Sequence, residues 1–274
     1  MPNVRGGKRT FVSAKEAVDA AEDSQFVTAL ARGMEVLGAC ARSGRPLGNS
    51  EIADITGLSA PTVSRLSFTL TSLGYLQFLP RERLYVVGPR AAGLSATILR
   101  GLNIRRIARR EMDALARDAH FNVGLGTRDG DLMVFVDAFE GDALISLRLR
   151  AGSHVPILTS AMGKAYVATV EMSERADLLR AMRPRHGDEW TTINAGIDQA
   201  MRDIADKGYC ISLGDWQKDI HAIAAPIVDP ATGIVYAVSL GGPAYLLGEH
   251  DLKENLARRL LESVRRIRSQ LGET

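Results

Sequence analysis

From Phe26 onward apolar residues recur at helical spacing: Leu30, Met34, Leu37 and Ala41 share one face of a helix predicted to run out at Ser43 and Gly44. Arg45 and Pro46 make a turn. A short helix follows, with Asn49 or Ser50 as its N-cap and Ile52, Ala53 and Ile55 available to the core. Gly57 breaks it, and Ser59 starts a third helix, its hydroxyl placed to cap free amides while Pro61 is tolerated in the first turn. The spacing buries Val63, Leu66, Leu70 and Leu73, which turns Thr62, Arg65 and Thr69 outward. After Gly74 the pattern shortens to two strands, Tyr75 to Leu79 and Leu84 to Val87, around a Pro80-Arg81-Glu82-Arg83 turn. The expected unit is a helix-turn-helix followed by a hairpin wing.

Helical periodicity resumes from Arg90 to Ala119 in two pieces, Leu94, Ile98 and Leu102 marking the first and Ile104, Ala108, Met112 and Leu115 the second, with Gly101 and Asn103 between them. The first piece has too few apolar residues for a core of its own. It reads as a linker helix that pairs with its counterpart in a second subunit, the alternative being packing within its own subunit. Beyond Phe121, strands are predicted at residues 123–127, 132–138 and 144–150, then helices at 160–170, 173–182 and 194–207, then strands at 209–213, 222–228 and 234–240. A last helix carries Leu252, Leu256, Leu260, Ile267 and Leu271 on one face. A strand meander, a helical insertion and three further strands make an α+β domain. The expected organisation is a flexible tail at 1–24, a winged helix-turn-helix at 25–88, a linker helix at 89–102 and the α+β domain at 103–274.

Composition narrows the setting. A chain of 274 residues, 46% hydrophobic, can bury two ordinary cores. Cys40 and Cys210 stand far apart with no CxxC neighbours, which points to neither a disulfide framework nor a zinc cluster and suits a reducing cytoplasm. No apolar run reaches the roughly 18 residues of a membrane span, so neither export nor membrane insertion is expected. Charge is uneven: between Arg42 and Arg110 eleven arginines stand against three acids, +8 in a chain whose total is +2, leaving −6 for the rest. That asymmetry suits a segment that neutralises phosphates.

If the target is duplex DNA, each part has a purpose. A helix about 10–12 Å across fits a major groove about 12 Å wide. Small residues at its start, Ser59, Ala60, Thr62 and Ser64, let the backbone approach, and Arg65 reaches a guanine edge or a phosphate, with Thr69 on the same face. Arg81 and Arg83 on the wing would meet the DNA backbone or the adjacent minor groove, and Thr28 and Arg32 are weaker phosphate candidates. The same topology also serves as a protein-interaction module. Agreement among topology, wing and arginine bias favours double-stranded DNA.

The segments FVTALARGMEVL, EIADITGLSAPTVSRLSFTLTSLGYL, VPILTSAMGKAYVA, AIAAPIVD and VSLGGP, covering nearly the whole chain after residue 24, resemble the IclR family of transcriptional regulators. In its FVTALARGMEVL opening the chain is most similar to the branch that controls aromatic-acid catabolism. The resemblance implies a GAF-like effector domain, a homodimer or homotetramer, and a small organic acid as effector. It places Ala161, Met162, Ser212, Ala222, Ser239 and Gly241 around the pocket; where some members carry an acid, a cysteine and a second serine, this chain has Ser212, Ala222 and Gly241. A bulkier or less polar effector is therefore expected. Independently, Ser160, Ala161, Met162 and Gly163 sit at a predicted helix N-terminus, whose free amides favour a carboxylate. Ser160 as a simple helix cap and Gly241 as a turn residue are the plainer alternatives.

Two rival classes are weighed. The rear domain could only oligomerise, with no sensing. Catalysis finds little support: Gly163-Lys164 has Leu158 where a phosphate loop needs its first glycine, Ser239 lacks the GxSxG frame, and the histidines at 120, 154, 186, 221 and 250 lack metal-ligand spacing. No enzyme, cofactor or metal is expected.

Overall fold

The computed structural model describes residues 26–142 and 149–272, and the chain divides between Gly101 and Leu102 into two compact units. The expected tail at 1–24 lies outside the described residues. The first unit contains α1 (Thr28–Ser43), α2 (Asn49–Thr56), α3 (Ala60–Ser72), β1 (Leu76–Leu79), β2 (Leu84–Val87) and α4 (Pro89–Gly101). Its core gathers Val36, Cys40, Leu47, Ile52, Val63, Leu70, Leu76 and Tyr85. Left-handed glycines, Gly44 at φ 63° and Gly57 at φ 69°, close α1 and α2, as residues without a Cβ can do at least cost. The N-cap of α2 is Gly48, one residue earlier than expected, because Glu51 reaches back 2.9 Å to accept the Gly48 amide. That bond, then the Arg45 guanidinium at 2.7 Å, holds the Glu51 carboxyl below its ordinary pKa.

The buried face of α1 differs from the one the spacing suggests. Gly33, Val36, Ala39 and Cys40 are interior, whereas Leu30 and Met34 are 64% and 57% exposed and Ala41 is exposed as well. The helix has two apolar stripes; the one with small residues allows the closer approach to α3, where Gly33 lies against Leu66. On α4 nothing is buried, and Leu94 and Ile98 are exposed. The wing pairs from Leu76↔Val87 to Leu79↔Leu84, and Leu47 exchanges both backbone bonds with Tyr85 at 3.0 and 2.8 Å, which fixes the hairpin to the helical core.

The second unit is an antiparallel six-stranded sheet with helices on both faces. It runs α5 (Asn103–Ala119), β3 (Asn122–Asp129), β4 (Leu132–Phe139), β5 (His154–Pro156), α6 (Ala161–Thr169), α7 (Met172–Met182), α8 (Trp190–Lys207), β6 (Cys210–Leu213), β7 (Ile220–Val228) and β8 (Val235–Pro243). A turn at Glu249–Asp251 and a π-helical turn at Leu252–Leu256 then lead into α9 (Ala257–Leu271). Strand order is β5-β4-β3-β8-β7-β6. Helices α5 and α9 pack on one face, where Arg105 of α5 meets the buried Asp137 of β4 at 3.1 Å; α6 and α8 pack near the other.

Most of the predicted strand at 144–150 lies outside the described residues, and Leu149 and Arg150 are not in a strand. The third strand of the meander is instead β5, three residues ending in Pro156, too short for alternation to reveal. Helix α8 begins at Trp190, four residues before the predicted start, because it continues directly from the tight turn Gly187–Glu189, with no side-chain cap to mark its first residue.

Ile52 is fully buried among the residues of the helical core. Ile52→Ala should cost about 2–5 kcal/mol, read as a lower denaturant midpoint for the transition followed by a probe in the first unit. An unchanged midpoint would mean that this core does not hold the unit together.

Candidate functional site

Helix α3 starts at Ala60 with Ser59 as N-cap. The Ser59 hydroxyl does not cap an amide as expected; it bonds the Thr62 hydroxyl at 2.9 Å. The buried face is Val63, Ser67 and Leu70, with Leu66 half-buried and Leu73 exposed at the C-cap. At about 100° per residue, the line opposite that core runs through Pro61, Arg65, Phe68 and Ser72, with Ser64 and Thr69 on its flanks. Thr62, expected outside, is half-buried, while Ala60, Ser64, Arg65 and Thr69 are exposed. The leucine spacing misled by one step: it favoured Leu66 and Leu73 for the interior and passed over the buried Ser67 and the exposed Phe68. Thr28 and Arg32 stand one turn apart, half-buried, at the start of α1. Arg81 and Arg83 are exposed at the wing tip, and Arg83 takes φ 57°, a left-handed backbone that a side chain disfavours.

The arginine excess is not confined to this unit. Across residues 26–88 six arginines face four acids, net +2. Arg105, Arg106, Arg109 and Arg110, counted with the DNA-reading segment in the sequence, belong to α5 of the second unit. A contiguous charge count cannot see a boundary that falls inside it.

On the sheet face toward α6, strand register brings small residues side by side. One rung across the strands reads Ala138, Gly124, Ser239, Ala224 and Cys210; the next reads Asn122, Gly241, Ala222 and Ser212. Short side chains on neighbouring strands leave a hollow of about 50 Å³, well below the roughly 300–1,000 Å³ of small-molecule sites, so an aromatic occupant has to move its walls apart. Phe135, Leu149, Val155 and Trp216 add apolar walls. The bare Gly124 lets the Phe135 ring lie against the strand, since a Cβ there would sit 2.1 Å from it.

Seven of the eight sequence-proposed pocket residues line this hollow: Ser160, Ala161, Met162, Ser212, Ala222, Ser239 and Gly241. Gly163 does not. It lies behind the wall, where a Cβ would be 2.0 Å from the Ile157 carbonyl oxygen, so it permits α6 to seat on the preceding segment. Ser160 does cap α6: its hydroxyl accepts the Gly163 amide at 3.1 Å and donates to the Pro156 carbonyl at 2.6 Å. The first-turn amides of Ala161 and Met162 have no intrahelical acceptor and carry the positive end of the helix dipole. Ser212 donates to the Thr159 carbonyl at 3.0 Å, which ties β6 to that turn, whereas the Ser239 hydroxyl has no hydrogen-bond partner among the described residues.

The wall residues missed by sequence reasoning come from strands, which only register brings together, and from the β4–β5 and β6–β7 loops. Trp216 sits in the β6–β7 loop next to Asp215, and Asp215 pairs at 2.6 Å with Lys164, whose side chain is 6% exposed. Lys164 thus holds the loop carrying Trp216 rather than a phosphate. Cys210 donates toward the Ala161 carbonyl, and burial pushes its thiol up to about 12.

Three measurements follow from this geometry. A thiol raised that far is neutral at pH 8, where an exposed cysteine is partly thiolate, so Cys210 should resist a thiol-reactive dye until the chain is unfolded. Rapid labelling of the native protein at Cys210 would contradict that burial. Gly163→Ala should shift α6 and lower the melting temperature; normal stability would show that the close approach is dispensable. Arg83→Gly removes the unfavourable backbone of the wing tip, so stability should hold or rise while DNA affinity falls and the log–log salt slope shrinks by about 0.9, the value of one phosphate contact. A full salt slope in that variant would remove Arg83 from the phosphates.

Family models match both units: one described as the IclR helix-turn-helix domain over residues 29–80, and one described as bacterial transcriptional regulator IclR C-terminal over residues 96–269. The chain is 31% identical over 248 residues to the HTH-type transcriptional regulator TsaQ1/TsaQ2 of Comamonas testosteroni, covering 90% of this chain and 89% of that protein. The crystal structure of an IclR family transcriptional regulator from Brucella abortus superposes with a TM-score of 0.87 at 39% identity, over 96% of this chain and 99% of that one. An IclR homologue of Microbacterium hydrocarbonoxydans, solved in complex with 4-hydroxybenzoate, shares the fold at a TM-score of 0.70 and 20% identity, over 90% of this chain and 100% of its own. With family models matched over both units and a relative above 30% identity over most of its length, the chain belongs to the IclR family of ligand-responsive, DNA-binding transcriptional regulators.

Proposed function

We propose that this regulator senses a small aromatic acid in the hollow beneath α6 and so controls catabolic genes. The observation that carries the reading is the lining itself: apolar walls from Phe135 and Trp216, hydroxyls at Ser212 and Ser239, and the first-turn amides of α6, with no acidic or basic side chain among the described lining residues. A ring packs on the walls and a carboxylate meets the helix N-terminus, as anions do at such ends. The 4-hydroxybenzoate held by the Microbacterium homologue has that chemistry. A lining without ionisable side chains also supports binding rather than catalysis, since proton transfer or nucleophilic attack needs such groups.

On the DNA side, α3 enters the major groove with Arg65 foremost, Ser59, Ala60, Ser64 and Thr69 close to the duplex, and the wing arginines Arg81 and Arg83 on phosphates. Thr28 and Arg32 are secondary phosphate contacts. The exposed apolar side chains Leu94 and Ile98 of α4, together with Leu30 and Met34 of α1, are the surfaces on which two copies pair into a homodimer or a larger homo-oligomer. The protein then works in the cytoplasm, where its operator lies; no helix of the described residues is long and apolar enough to cross a membrane.

The test uses full-length protein with benzoate and 4-hydroxybenzoate. A bound ligand at 100 times its dissociation constant stabilises the fold by about 2.7 kcal/mol, read as a raised melting temperature, and it should change operator affinity. Ala222→Leu, which fills the hollow, should abolish both effects and leave DNA binding of the free protein intact. Ligand-induced stabilisation that survives Ala222→Leu would place the sensor elsewhere. Arg65→Ala should weaken specific binding by about 1–3 kcal/mol.

A further inference from the structure

Phe68 is 73% exposed in the middle of a 13-residue helix, more than any other phenylalanine among the described residues, and it contributes nothing to the core that α3 completes. Its surroundings on the helix are polar and small: Ser64, Arg65, Thr69 and Ser72. A lone aromatic ring in such company is a poor self-association patch, which would need apolar neighbours. It is well placed for something else. Pro61, Ser64, Arg65 and Phe68 stand at i, i+3, i+4 and i+7, the spacing with which a major-groove helix brings side chains to base edges.

We propose that Phe68 reads the C5-methyl group of a thymine, beside the base pair reached by Arg65. The proposal rests on α3 lying in the major groove. The edges of the base pairs there carry hydrogen-bond donors and acceptors, which phenylalanine cannot satisfy, and one apolar group, the thymine methyl. Three residues separate Arg65 from Phe68, a rise of about 4.5 Å against a base-pair step of about 3.4 Å. The two side chains therefore sample neighbouring base pairs, the arginine by hydrogen bonds or charge and the ring by apolar contact. Phe68 is a specificity-determining residue in this arrangement, setting one operator position as A·T with the thymine on a fixed strand.

The experiment starts from duplexes selected by the full-length protein out of a random pool, so that no operator need be known beforehand. Each thymine of the selected site is then replaced in turn by deoxyuridine, which lacks only the methyl group. At one thymine position, adjacent to the pair whose preference Arg65→Ala relaxes, deoxyuridine should weaken binding roughly fourfold, the equivalent of one buried methyl-sized group. Phe68→Ala should bind the thymine duplex at least as weakly and be indifferent to the deoxyuridine change, while Phe68→Leu should retain part of the sensitivity. Its helix content and melting temperature should match the parent, since the ring is outside the core. Selection of a defined site with no methyl-sensitive thymine, or a deoxyuridine effect that persists in Phe68→Ala, would overturn the assignment to Phe68 alone. A change of oligomeric state in Phe68→Ala with unaltered methyl sensitivity would assign the ring to subunit contact instead. Failure to select any sequence would overturn the placement of α3 in the groove, and this proposal with it.

Discussion

Helix α6 has to seat closely on the segment that leads into it, and the wall it contributes to the hollow depends on that seat being held. Gly163 provides the approach, because any Cβ would collide with the Ile157 backbone. Ser160 locks it by spending both capacities of its hydroxyl, one on the Gly163 amide and one on the Pro156 carbonyl. Across the gap, the two rungs of small residues lower the floor. Interiors are packed to the density of organic crystals, so even a small hollow survives only where both walls are held apart by contacts made elsewhere. Here Lys164 and Asp215, beyond the hollow's rim, and the large side chains of Phe135 and Trp216 supply that separation.

Much of the first unit was legible because its signals are local. Gly57, Ser59, Pro61 and Gly74 punctuate the chain wherever a helix must stop or start, and the elements fall between them. Faces were harder. On α1 both stripes are apolar, and the choice between them depends on which one fits against α3, a tertiary fact. On α3 the serine at 67 is interior and the phenylalanine at 68 is outside, against the polarity of each. Such inversions do not follow from composition, since they reflect what neighbours require of a position.

In the second unit the alternation of strands and helices could be read, and so could the helix N-terminus at Ser160, because both are properties of short stretches. The floor of the hollow could not. Asn122, Gly124 and Ala138 join Ser212, Ala222 and Ser239 only through pairings between residues more than a hundred positions apart, and a one-residue slip would turn every one of them to the opposite face. Resemblance to relatives located six of the lining residues, but not Trp216 or Phe135, whose rings form apolar walls.

The chemistry of that wall has an acid–base consequence. Backbone amides, hydroxyls, one carboxamide and apolar side chains keep the same charge across the physiological pH range, so no described lining side chain gains or loses a proton there. For the carboxylic acid of the proposed function, the charge that meets the helix end is then the guest's own, and its ionisation enters the occupancy of the hollow directly.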